Sequence, residues 1–124
     1  MAQPNIVSVT TIYGNTAVAA VTNVSTNLVV NSASSGQVLK INTLYISNIH
    51  ANSNTALVSV GLLRTGVEYK IAANINLTAN STLDVINKAI YLQEGDCIRI
   101  SANSTFASNA NNLCEAVCSF EAIS

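Results

Sequence analysis

Apolar and polar positions in this chain alternate. From Val38 one parity reads Val38, Lys40, Asn42, Leu44, Ile46 and the other Leu39, Ile41, Thr43, Tyr45, Ser47, so both faces are half apolar. Successive side chains of a strand point to opposite faces, and a strand apolar on both belongs inside a sandwich or barrel. Residues 55–63 repeat the alternation, with Leu57, Ser59, Gly61 and Leu63 against Ala56, Val58, Val60 and Leu62. Arg64-Thr65-Gly66 reads as a hairpin turn and residues 67–72 as the returning strand, with Val67, Tyr69 and Ile71 on one face and Glu68 and Lys70 on the other. Short strands over 80–86 and 89–92 lead to a tight turn at Gln93-Glu94-Gly95-Asp96, where Gly95 supplies the left-handed corner and Asp96 accepts from nearby backbone N–H groups. Strands over 97–102 and 113–123 follow, and in the last one Cys114, Ala116, Cys118, Phe120 and Ala122 form the better core face.

Ahead of Val38 the signal is weaker. Residues 6–12, 17–21 and 24–30 read as strands, with Tyr13-Gly14-Asn15 as a turn and the polar run from Asn31 to Gly36 as a closing loop. Two further loops, 48–54 and 103–112, are rich in Asn and Ser, whose short side chains bond local backbone and compete with ladders. No stretch of eleven residues carries a helical period. The pattern predicts an all-β chain: an antiparallel, jelly-roll-like sandwich of about nine short strands without substantial helix. Its 124 residues fit a single domain over 1–124, in which 1–15 is expected as an N-terminal arm contacting a neighbouring subunit.

Composition supports strands and argues against several functions. The apolar fraction is 49%, mostly Val, Ile, Ala and Leu, which excludes disorder and favours a pleated surface. Five Lys or Arg oppose six Asp or Glu, for a net charge of −1. The cations Lys40, Arg64, Lys70, Lys88 and Arg99 are dispersed, so no basic stripe exists to hold nucleic acid. No apolar run is long enough for a spanning helix, and no secretory leader is expected from the opening residues. A nearly neutral protein tends to associate, so much of this surface is expected to be covered by partners.

Reactive chemistry is sparse. The one histidine, His50, lies in an Asn-rich loop, and nothing in the sequence brings it to a cysteine. There is no phosphate-cradling glycine loop, no nucleophile elbow and no spaced metal-ligand cluster. Glu94 and Asp96 as calcium ligands would need further oxygens from Glu68, Asp84, Glu115 or loop carbonyls. Cys97, Cys114 and Cys118 are an odd set, read as small buried apolar residues in a reducing compartment. On one strand Cys114 and Cys118 would stand roughly 13 Å apart, too far for a disulfide. The chain is therefore expected not to be an enzyme and to need no cofactor or metal.

The order of motifs carries a resemblance. Lys40-Ile41-Asn42-Thr43-Leu44-Tyr45-Ile46-Ser47-Asn48 is followed by Val58-Ser59-Val60-Gly61-Leu62 and Glu68-Tyr69-Lys70-Ile71. Then come Asn80-Ser81-Thr82-Leu83-Asp84-Val85, Ile90-Tyr91-Leu92-Gln93-Glu94-Gly95-Asp96-Cys97-Ile98-Arg99-Ile100, and the ending Ser119-Phe120-Glu121-Ala122-Ile123-Ser124. Over residues 38–124 this resembles the small virion structural proteins of tailed bacteriophages, above all those of T4-like cyanophages. The opening Pro4-Asn5-Ile6-Val7-Ser8-Val9, with Ile12-Tyr13-Gly14, is also similar to cyanophage members. The resemblance implies a virion protein made in the host bacterial cytoplasm, partnered by the major capsid protein or by tail or neck proteins. A capsid decoration or cement protein is the favoured role. A neck, tail or baseplate component is the alternative, and a glycan-binding module of a fibre a further one. Self-association is expected, with a trimer favoured. The expected contact residues are Ile6, Val7, Val9, Ile12 and Tyr13 near the start and His50, Asn52, Asn54, Asn109 and Asn111 in the Asn-rich loops.

Overall fold

The computed structural model describes residues 11–49, 55–104 and 114–124, and these form nine strands and no helix. In chain order they are β1 (Ile12–Val21), β2 (Thr26–Val30), β3 (Val38–Ser47), β4 (Ala56–Arg64), β5 (Val67–Leu77), β6 (Thr82–Asp84), β7 (Ile90–Leu92), β8 (Cys97–Ser104) and β9 (Cys114–Ile123).

The architecture is one long antiparallel ribbon, folded at its middle and rolled up. The fold point is the turn between β4 and β5, where Thr65 (φ 49°) and Gly66 (φ 78°) are both left-handed. Two successive positive φ angles give the hairpin turn whose twist matches that of its strands. From there β4 pairs with β5, β3 with both β6 and β7, β2 with β8, and β1 with β9. Rolling the ribbon adds the pairs β3–β9 and β4–β8. Two sheets result, ordered β1-β9-β3-β6 (with β7 also on β3) and β2-β8-β4-β5. This interleaving of early and late strands is a jelly roll, and every pairing in it is antiparallel.

The core lies between the sheets and draws on both. Leu44 and Ile46 of β3, Val58 and Val60 of β4, Ile98 and Ile100 of β8, and Cys114 and Cys118 of β9 are all closed to solvent. The first three pairs are two residues apart and the cysteines four, so in each of these stretches side chains of one parity pack inward. Gly61 is also buried: a Cβ there would stand 2.6 Å from Glu68 Cγ, so a side chain at that point would have to displace that of Glu68.

Three features depart from the sequence reading. Residues 12–21 form a single strand where a strand end, a turn at 13–15 and a second strand were expected. Gly14 does not adopt a left-handed φ, and it pairs in register with Glu121 of β9. A ten-position ladder outweighs the local turn preference of Tyr-Gly-Asn. Of the segment 1–15 expected as an arm, Ile12 to Asn15 thus belong to this ladder within the same chain, while 1–10 lie outside the described residues. Strand β5 runs to Leu77, past the expected end at 72, because its irregular register opposite Val58–Gly61 accommodates left-handed Asn74. The Asn74 N–H donates to Ser59 Oγ at 3.1 Å.

The third departure concerns asparagine. Asn31 and Asn48, read as loop filler, are buried. Asn31 Nδ2 donates to the carbonyls of Gln37 (3.0 Å) and Leu92 (2.9 Å), and its Oδ1 accepts from Ser35 Oγ (2.6 Å). Its backbone exchanges bonds with the β7–β8 turn: Asn31 N to Asp96 O, and Gly95 N to Asn31 O. Asn48 Nδ2 donates to Leu77 O at 2.9 Å, and its backbone bonds Asn80 and Ser81. Each amide satisfies backbone groups that would otherwise be buried without partners where chain segments leave their sheets.

Candidate functional site

Two kinds of residue could carry function: the few polar groups drawn together by turns, and the apolar groups left facing outward.

The polar cluster sits where the β2–β3 connection meets the β7–β8 turn. Gly95 is left-handed at φ 87°, which lets the chain reverse between β7 and β8. Asp96 is buried, and its carboxylate accepts from Gln93 N (2.8 Å), Arg64 Nε (2.9 Å) and Arg64 Nη2 (2.5 Å). The two Arg64 bonds form a bidentate pair that raises the guanidinium pKa above its usual value, chiefly through the side-chain hydrogen bond to Asp96. Glu94, also buried, accepts from Gly36 N at 2.9 Å. A shallow depression lies over this cluster, lined by Ala33, Ser34, Gly36, Thr65, Glu94, Gly95 and Asp96. Its two acids already serve as acceptors for internal donors, so they hold turns together and are poorly placed to move a proton. The remaining acids weighed as calcium ligands lie elsewhere. Asp84 stands opposite Tyr45 in the first sheet, Glu115 opposite Ala20, and Glu68 pairs with Lys70. Among the described residues no three His, Cys, Asp or Glu side chains converge.

The thiols are equally withdrawn. Cys97, Cys114 and Cys118 are buried and free. Burial pushes the pKa of Cys114 and of Cys118 up to about 11, and desolvation also raises that of Cys97. In the unfolded chain a thiol ionises near 9.0, whereas Cys114 and Cys118 stay protonated to about 11 when folded. Stability from this source is complete below pH 9 and is lost as pH rises from 9 toward 11, at roughly 1.4 kcal/mol per pH unit for each thiol. Urea unfolding midpoints should therefore fall across that window, and a thiol-specific disulfide reagent at pH 8 should react with Cys114 and Cys118 only after unfolding.

The outward apolar groups form two surfaces. One is the outer face of the β1-β9-β3 sheet. Across its three long strands the register aligns Val18 with Val117 and Tyr45, all exposed, Val18 at 70%. Adjacent rows align Thr16, Ser119 and Thr43 on one side and Ala20, Glu115 and Ser47 on the other. The second surface is on β5, where Val67, Tyr69, Ile71 and Ile75 are exposed. Tyr69 pairs with Leu62 and Ile75 with fully buried Val58, so these residues point to the core side of their sheet but extend beyond its cover. Of the three residues expected on one face, Val67 and Tyr69 stand opposite Arg64 and Leu62, while Ile71 falls at a register shift. Only the sheet order shows that this face, on an outermost strand, stays open.

Of the expected contact residues, Ile12 and Tyr13 are on β1 and exposed, Tyr13 at 62%. Ile6, Val7, Val9, His50, Asn52, Asn54, Asn109 and Asn111 lie outside the described residues. No described helix is long and apolar enough to cross a membrane.

No known protein-family model matches this chain, and no curated protein matches it. A structural match does exist, to a chain of the T13 viral particle of IBDV, known from its crystal structure. The TM-score is 0.52 and the identity 10%, and the alignment covers 94% of this chain and 32% of that one. The present chain thus spans about a third of the length of the viral chain it matches. At this identity the likeness is one of fold: the rolled two-sheet sandwich described above is similar to part of a viral particle protein, over nearly all of its length.

Proposed function

We propose that this chain is a non-enzymatic structural component of a virion that acts through the surfaces it presents to its neighbours. The observation that carries this reading is the breadth of the fold likeness. It takes in 94% of the chain, and the partner in the comparison belongs to a viral particle. The local chemistry is in keeping. The buried carboxylates of Glu94 and Asp96 accept internal bonds, the thiols are desolvated, and apolar residues are exposed on two strand sets.

Within that class the proposal is a decoration or cement protein on the capsid of a tailed phage, of the T4-like cyanophage kind that the motif order resembles. A protein that binds only the assembled shell stabilises it by mass action, and this needs no reactive group. A nearly neutral sandwich suits the role, since exposed rows and strand edges supply apolar area and directional backbone bonds. Its partners are then the major capsid protein and further copies of itself, and its place is the virion.

Electron microscopy of purified particles of the encoding virus tests this directly. Density for the sandwich on the capsid exterior in hundreds of copies is the expected result. A few copies at the neck, tail or baseplate would overturn the decoration role and leave the virion role standing. Absence from the particle would overturn both.

A further inference from the structure

Among the described residues the two sheets have four edges, and three of them are blunted. Strand β2 has five residues with a register shift between Asn27 and Val29. Strand β5 carries Glu68 and Lys70, has an irregular register against β4, and is bent by left-handed Asn74. The fourth strand position of the other sheet is split into β6 and β7, of three residues each. Short strands, bulges and charges are the devices by which sheets avoid pairing with other chains.

Strand β1 has none of them. It is ten residues long, pairs with β9 at every position from Ile12 to Val21 without a shift, and contains neither a charge nor a proline. Its far edge has no strand partner among the described residues. Glycine inside a strand marks a bulge, a bend, or a place where another backbone comes close. Gly14 sits in a regular ladder with an ordinary φ, and among the described residues, its chain neighbours aside, nothing lies within 4 Å of where a Cβ would be. The open space beside Gly14 leaves room for another backbone to come close.

We propose that the β1 edge pairs antiparallel with the β1 edge of a second copy of this chain, joining two sheets into one across a two-fold axis. A second copy offers an edge of the same length and regularity, and charge does not oppose the pairing. The strand is uncharged and the whole chain carries only −1, so two copies meet without like charges at the seam. A two-fold contact presents the same patch twice, and an antiparallel pair centred near Ala17 engages residues 13–21 of both copies. On the outer face this brings Val18 of one copy beside Thr16 of the other. The row of Val18, Val117 and Tyr45 then nearly meets its counterpart, giving one apolar belt across the joined sheet. The contact is a dimer contact, where a trimer was expected from sequence. It deepens the assembly reading but is tested on the isolated chain, so its failure is distinct from absence from the particle.

Sedimentation equilibrium of the full chain should give a dimer, twice 12.9 kDa. The double variant Thr16→Lys/Val18→Lys sets ammonium groups against each other at the seam. Both side chains are exposed, so it should keep the circular dichroism spectrum and the urea midpoint of a folded chain yet sediment as a monomer. Amide hydrogen exchange along β1 should slow as the parent protein is concentrated and should not do so in the variant. A parent protein that is monomeric or trimeric would overturn the proposal. So would a double variant that still dimerises, or dissociation produced instead by Ile71→Lys/Ile75→Lys on β5.

Discussion

Leu44→Ala is expected to lower the unfolding free energy by about 3–4 kcal/mol, the largest effect of any single truncation considered. Leu44 is fully buried on β3, the strand that pairs with β9 on one side and with β6 and β7 on the other. Its side chain points to the opposite sheet, and neighbouring strands fix the backbone around it, so the site collapses poorly when the side chain is cut. The loss is the transfer free energy of the removed carbons plus the cost of the cavity left behind. Domains of this size have about 5–15 kcal/mol in total, so the variant should remain folded in water but unfold at much lower urea and roughly 10 °C or more below the parent. The next residue supplies the control. Tyr45 faces the other way and is exposed, so Tyr45→Ala should cost under about 1 kcal/mol. Equal urea midpoints for the two variants would mean that the two faces of β3 are wrongly assigned.

Asp96→Ala should come next, at about 3 kcal/mol. Removing one member of a buried pair is costly because the other member loses its compensation. Here Arg64 is about a third exposed, which places the effect at the lower end of the usual range for buried pairs, but Gln93 N also loses its acceptor. Asp96→Asn keeps the shape and one acceptor oxygen and should cost about half as much. Arg64→Met leaves a buried carboxylate without its partner and should fall between the two. A double-mutant cycle on Arg64 and Asp96, read from urea midpoints, should give a coupling of about 1.5–3 kcal/mol. A coupling near zero would mean the bidentate geometry does not persist in solution. These effects bear on stability alone. Because Asp96 O and Gly95 N also tie the turn to Asn31, loss of the pair should loosen the whole end of the sandwich bearing the shallow depression.

The two predictions draw on different information. Leu44 could be chosen from the pattern alone. Period-two alternation over 38–47 made this a strand buried in a sandwich, and the structure buries Leu39, Ile41, Leu44 and Ile46 on it. A bulge at Asn42 shifts the parity between Ile41 and Leu44, which simple counting does not anticipate. Asp96 could be placed at a turn from the run Gln93-Glu94-Gly95-Asp96, since glycine and aspartate act on their immediate backbone. Its pairing with Arg64 could not. The two are 32 residues apart, and they meet only because the β4–β5 turn and the β7–β8 turn fall at the same end of the rolled ribbon. The same limit hid Asn31 and Asn48: polar runs read as loops by composition, and nothing local shows that one amide in each reaches a carbonyl dozens of residues away.

By itself, the sequence determined that this chain is a strand-built sandwich with a core of aliphatic residues and little charge. Alternation and β-branched content are local properties, and each strand states its own. Tertiary structure alone decided which strands lie at the edges, and therefore which apolar rows stay open. The exposure of Tyr69 and the unguarded edge of β1 depend on sheet order, and sheet order depends on how the ribbon rolls. That choice is made by long-range pairing between the two ends of the chain, which no window of residues contains.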